Sequence, residues 1–163
     1  MNALQEKLAS ATTLRESGDY EEARKLLLKL HSEFSDDSQV NYQCAWIHDL
    51  LGLEREAIPF YEKAIQAGLS GDDLKSAMLG MGSTYRCIGE YQKSIETFQH
   101  ALTLFPASHE FKVFLGMAYY NIREYSKAME LLLNSLADTS SDEGILSYQR
   151  AIRFYSDKLD QTW

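Results

Sequence analysis

Apolar side chains recur every three or four residues along the chain, as in Ala23, Leu26, Leu27 and Leu30 or Ile95, Phe98, Ala101 and Leu102. That spacing lines one face of an α-helix. No segment keeps the strict alternation of a half-buried strand, so the pattern predicts an all-α chain. Four short corners interrupt the apolar runs: Gly18-Asp19-Tyr20-Glu21-Glu22-Ala23, Gly52-Leu53-Glu54-Arg55-Glu56-Ala57, Gly89-Glu90-Tyr91-Gln92-Lys93-Ser94 and Arg123-Glu124-Tyr125-Ser126-Lys127-Ala128. Glycine can take the left-handed conformation that ends a helix, and the acidic residue just after it suits the start of the next. Arg123 stands where the other corners have glycine, which predicts strain at that turn or a different closure.

The small residues at positions 23, 57, 94 and 128 are separated by 34, 37 and 34. A recurrence of about 34 residues is the length of a helix-turn-helix unit. The three extra residues fall in Ala67-Gly68-Leu69-Ser70-Gly71-Asp72-Asp73, a turn-rich stretch that can absorb them. After Ser140-Ser141-Asp142-Glu143, which reads as a capping box, Ile145 to Leu159 forms one more helical pattern with no second helix to pair with.

Aligning the units on this period brings equivalent residues together. The third supplies Met78, Met81, Gly82, Tyr85, Ser94, Phe98 and Pro106, and the fourth Leu115, Gly116, Tyr119, Ala128 and Leu132. Weaker sets come from the second unit, Cys44, Ala45, His48, Ala57, Tyr61 and Ala64, and the first, Ser10, Ala11, Leu14, Ala23 and Leu27. Together they resemble the tetratricopeptide repeat (TPR) family, whose pattern runs W-x2-L-G-x2-Y…A-x3-F…P. The resemblance implies a right-handed TPR-type superhelix of four helix-turn-helix repeats plus a C-terminal capping helix. All of residues 1–163 would then form a single domain, with repeats at about 3–36, 37–70, 74–107 and 108–141 and the capping helix at about 142–160.

Composition narrows the function classes. With 24 acidic against 16 basic residues the net charge is -8, a field that repels phosphate backbones and anionic membranes. Neither nucleic acid nor membrane is therefore an expected partner. The two cysteines, Cys44 and Cys87, lie in apolar helical segments and read as packed, reduced thiols of a cytoplasmic protein. His31, His48, His100 and His109 fall in different units, and none shares a recognised metal spacing with another His, Cys or carboxylate. Acidic pairs such as Glu21-Glu22 and Asp72-Asp73 sit at helix starts or turns, where capping explains them. No convergent nucleophile, base or metal set emerges, so the expected protein is not an enzyme and has no catalytic residue, cofactor or metal.

In the TPR family the first helices of successive repeats line a concave face that receives a peptide or a helix. The resemblance carries that face onto Leu8, Thr12 and Arg15, then Tyr42, Gln43, Trp46 and Asp49, then Leu79, Gly80, Ser83 and Arg86, then Val113, Phe114, Met117, Tyr120 and Asn121. Tyr148, Phe154 and Tyr155 of the capping helix extend it. The face is apolar and aromatic, which points to capture of a protein or peptide segment of the same character. Its core candidates are Tyr42, Gln43, Trp46, Arg86, Phe114, Met117, Tyr120 and Asn121. The alternative is a structural homo-oligomer assembled through the groove or an exposed repeat end. Chaperone-binding relatives hold an acidic tail with Lys, Asn, Asn, Lys and Arg. Here those places hold Leu8, Thr12, Gln43, Ser76 and Gly80, or in the next frame Tyr42, Trp46, Gly80, Glu110 and Phe114, so an acidic chaperone tail is not expected.

Overall fold

The computed structural model describes residues 3–163, and among them the chain is helical throughout, with no strand. The helices are α1 (Ala3–Glu16), α2 (Tyr20–Glu33), α3 (Ser38–Leu50), α4 (Glu54–Gln66), α5 (Gly71–Cys87), α6 (Tyr91–Leu104), α7 (His109–Asn121), α8 (Tyr125–Thr139) and α9 (Glu143–Tyr155). Each of the four corners joins an odd-numbered helix to the even-numbered one after it. Gly18, Gly52 and Gly89 have φ of 86°, 70° and 84°, the left-handed region that glycine enters without a Cβ clash. Arg123, at φ 67°, is the one non-glycine with positive φ among the described residues. The fourth corner therefore closes like the others and bears the strain its sequence predicts. Asp19, Glu90 and Glu124, which follow three of these corners, stand at N-cap positions with nearly identical φ near −81° and ψ near 57°.

The chain divides into two compact units, the first ending at Gly89 and the second spanning Glu90–Trp163. In the first, α1 packs on α2, α2 on α3, α3 on α4 and α4 on α5. One core joins Ala11, Ala23, Leu27, Leu30, Val40, Cys44 and Ile47, and a second joins Tyr42, Ala45, Ala57, Tyr61, Ala64, Leu69 and Ala77. Small residues at the helix crossings bring the backbones close, and the large rings fill the space beside them. Asn41 is fully buried, and its Nδ2 donates to the carbonyls of Ser35 and Asp37 at 2.8 Å each. The loop between α2 and α3 thus closes on a side chain from inside the core. Cys44 is buried too, and loss of hydration pushes its thiol up to about 12. Cys87, the last residue of α5, is exposed rather than packed, because it falls on the solvent side of the final turn.

In the second unit α7 packs on α6 and α8, and α9 on α8. Phe98, Phe111 and Leu115 are buried, and Phe111 contacts Phe98 and Phe105 with ring centroids 6.2 and 6.1 Å apart. A Cβ added at Gly116 would lie 3.3 Å from the Ala128 carbonyl oxygen, so glycine permits the close α7–α8 crossing. The cap of α9 is Asp142, whose carboxylate accepts from Ile145 N at 3.0 Å. Ser140, the expected cap, lies two residues too early, and its hydroxyl accepts from Asp142 N instead. No residue within α9 is fully buried. It is held by an ion pair between Arg153 and Asp138, by Gln149 Nε2 donating to the Ala137 carbonyl at 2.6 Å, and by Ser156 just past its end. His109 and Lys112 also approach Asp138, each at 3.9 Å.

Candidate functional site

The candidate residues lie on first helices, α3 and α5 in one unit and α7 in the other. On α3, Trp46 is 37% exposed while Tyr42, one turn earlier, is only 4% exposed. Their rings stack with centroids 5.8 Å apart and planes at 29°, so Tyr42 acts from beneath, as a support for Trp46. Arg15 of α1 also lies over the indole, its guanidinium carbon 3.6 Å from the ring centroid. The same side chain donates through Nη1 to Gln43 Oε1. Burial lowers the Arg15 pKa, with Glu16 and Tyr42 acting in the opposite sense, and the stacked and hydrogen-bonded guanidinium is occupied within the chain.

Asp49, half-buried at the end of α3, accepts from Tyr61 Oη at 2.6 Å and from Thr84 Oγ1 at 2.9 and 3.0 Å. One carboxylate ties α3 to α4 and α5. Burial raises its pKa, and the hydrogen bonds from Tyr61 and Thr84 oppose the rise. Gly80, read from the sequence as a face residue, is packing: a Cβ there would overlap Tyr61 Oη and lie 2.7 Å from Cζ. Arg86 is half-buried in the last turn of α5, and its Nε is a buried atom with no hydrogen-bond partner among the described residues.

On α7, Met117 is 39% and Tyr120 63% exposed, one turn apart. Tyr120 leans on Tyr125 of α8 at 5.2 Å between centroids. Phe114, half-buried, rests against Phe98 at 6.0 Å. Asn121 ends the helix with Oδ1 buried and, among the described residues, without a donor.

The structure therefore brings Tyr42, Gln43 and Trp46 together around Arg15, and sets Phe114, Met117, Tyr120 and Asn121 along the last two turns of α7. No hydrogen bond or ring contact among the described residues joins Arg86 to the Trp46 cluster. Trp46 and Met117 each precede the small residue of their unit, Ala57 and Ala128, by 11 positions, so the exposed apolar side chain recurs at one register position. Sequence reasoning missed the roles of Arg15 and Asp49 as internal ties. The available signal was that both precede their corner's small residue by 8 positions, with opposite charge, where Tyr120 stands in the fourth unit. Among the described residues no three His, Cys, Asp or Glu side chains gather closely enough to hold a metal, and no helix is long and apolar enough to cross a membrane.

A family model described as tetratrico peptide repeat matches residues 38–159. No curated protein sequence matches the chain. Solved structures do. MamA from Desulfovibrio magneticus RS-1, residue 41 to the end, is similar with a TM-score of 0.76 at 16% identity, over 98% of this chain and 89% of that one. Another MamA crystal structure gives 0.74 at 20% identity over 91% and 88%. A third, PilF of Pseudomonas aeruginosa, gives 0.70 at 15% identity over 99% and 78%. At these identities the likeness is one of fold.

Proposed function

Because the chain belongs to the tetratricopeptide repeat family, we propose that it is a non-catalytic interaction module whose first-helix faces hold an apolar or aromatic-bearing segment of another protein. The observation that carries this reading is the exposure of Trp46, Met117 and Tyr120 at first-helix positions. Large apolar side chains left in water on a helix that is otherwise packed are the anchors interfaces use. Tyr42 and Arg15 fix the Trp46 ring before any ligand arrives, which lowers the entropy lost on binding. Within the first unit Arg86 Nε, a buried donor with no partner among the described residues, matches the need of a peptide carbonyl. An acidic chaperone tail is disfavoured, since Arg15 is already engaged with Gln43 and Trp46. The free thiols Cys44 and Cys87 suit a reducing compartment, and we place the protein in the cytoplasm.

The test is an affinity capture from the native source followed by titration of the captured partner's purified segment against wild type, Trp46→Ala and Tyr120→Ala. Far-UV circular dichroism controls for folding. Weakening of about tenfold or more in either variant supports the reading. Equal affinity in both folded variants moves the contact to the second-helix surface.

A further inference from the structure

The exposed side of α9 has a composition that packing within the chain does not explain. Gly144, Ser147, Tyr148, Ala151, Phe154 and Tyr155 lie within about 60° of one another's mean direction on a helix turning 100° per residue, and Lys158 just past the end continues the row. Tyr148, Phe154 and Tyr155 are 68%, 53% and 47% exposed. Between them Ser147 and Ala151 leave a shallow depression that the three rings and Arg150 wall. Trp163, 80% exposed, adds its ring beside Phe154 and Tyr155 at 6.4 and 5.6 Å. Taking roughly 200 Å² for each aromatic side chain, these four leave about 500 Å² of ring surface in water, at the upper end of what a monomer exposes in one patch. A standard interface covers about 800 Å² on each partner, so this face with its rim is of the size a dimer uses.

We infer that this face is where a second copy of the chain docks, α9 against α9 in antiparallel fashion across a two-fold axis through Ala151. The pattern is self-complementary about that residue. An antiparallel pairing centred on Ala151 sets Tyr148 opposite the other copy's Phe154 and seats each Tyr155 over a Ser147. Small residues at the crossing let the backbones approach, and large ones flank them. In this direction the helix dipoles oppose, and the first-turn acids Asp142 and Glu143 of the two copies lie at opposite ends of the pair. A parallel pairing would set acid on acid. The inference does not rest on peptide capture by α3 and α7, although it assigns to self-association three aromatics that the sequence places at the end of the binding face.

Sedimentation velocity of the full chain over a range of concentrations tests it, with Tyr148→Glu at an exposed position and Ala151→Arg at the half-buried crossing as variants. The expected result is a concentration-dependent dimer for wild type, weakened about tenfold or more in both variants with circular dichroism unchanged. A chain that stays monomeric at high concentration overturns the inference, as does a dimer indifferent to Ala151→Arg and Tyr148→Glu. A monomer that instead co-sediments with phosphatidylcholine vesicles overturns it in favour of a lipid surface.

Discussion

Arg15 lies over Trp46, 3.6 Å from guanidinium carbon to ring centroid, while donating to Gln43. A cation that would ordinarily read as a ligand contact instead holds an aromatic one in place. Arg15→Ala should release the indole, shifting Trp46 emission to the red and raising its quenching by acrylamide, measured in a Trp163→Phe background. The stability lost should be about 1–2 kcal/mol by urea unfolding. Arg15→Lys should restore little, since an ammonium cannot stack and hydrogen-bond in the same plane. Unaltered emission in Arg15→Ala would mean that Tyr42 alone orients the ring.

The Asp49 network carries a pH signature. Burial raises the folded carboxyl above its ordinary value of 3.8, so the folded chain keeps this proton at pH values where the unfolded chain has lost it. Its contribution to stability accordingly falls as pH rises from 3.8 through the folded value. Tyr61→Phe removes one donor to the ionised form, raises the folded pKa further and should destabilise by about 1–3 kcal/mol at neutral pH. The loss should be larger at pH 8 than at pH 4. Urea midpoints for both proteins at the two pH values check this, and equal losses would show that Tyr61 acts through packing alone.

Gly80 and Tyr61 are coupled by contact. Gly80→Ala puts a methyl group into a buried ring and should destabilise by about 1–3 kcal/mol despite alanine's better helix propensity. Shortening the ring in Tyr61→Phe should make the same substitution less damaging. A double-mutant cycle gives the coupling, and additive losses would remove the contact from the account.

Arg123 offers the opposite case. Its φ of 67° strains any side chain, and Arg123→Gly should raise the stability by about 0.5–1 kcal/mol, seen as an upward shift of the thermal midpoint. Arg123→Ala should change little. A midpoint lowered by glycine would mean that the Arg123 side chain makes a compensating contact.

These residues also show what the one-dimensional pattern could carry. The corners were legible, Arg123 included, because their left-handed turn is a local property of four or five residues. Small residues at a 34-residue recurrence likewise located the helix crossings, as at Gly116. Gly80 was not legible, because its neighbour Tyr61 is 19 positions away on another helix. The same holds for Asn41, an apparently solvent-suited residue that is fully buried to satisfy two loop carbonyls. For the candidate face, register placed Trp46, Met117 and Tyr120 on first helices. It could not separate the exposed Trp46 from the covered Tyr42, since that depends on which way two adjacent rings lean.

The attachment of α9 has a kinetic side. A helix held by an ion pair, a few hydrogen bonds and partly covered side chains has little to lose by lifting away, so its opening need not wait for the hydrophobic cores to come apart. Its amides should therefore exchange with solvent deuterium well before those of α7 and α8, and sooner still as added salt screens Asp138 from Arg153. The second unit then ends in a segment that can detach and return on its own clock, carrying its solvent-facing aromatic side with it each time.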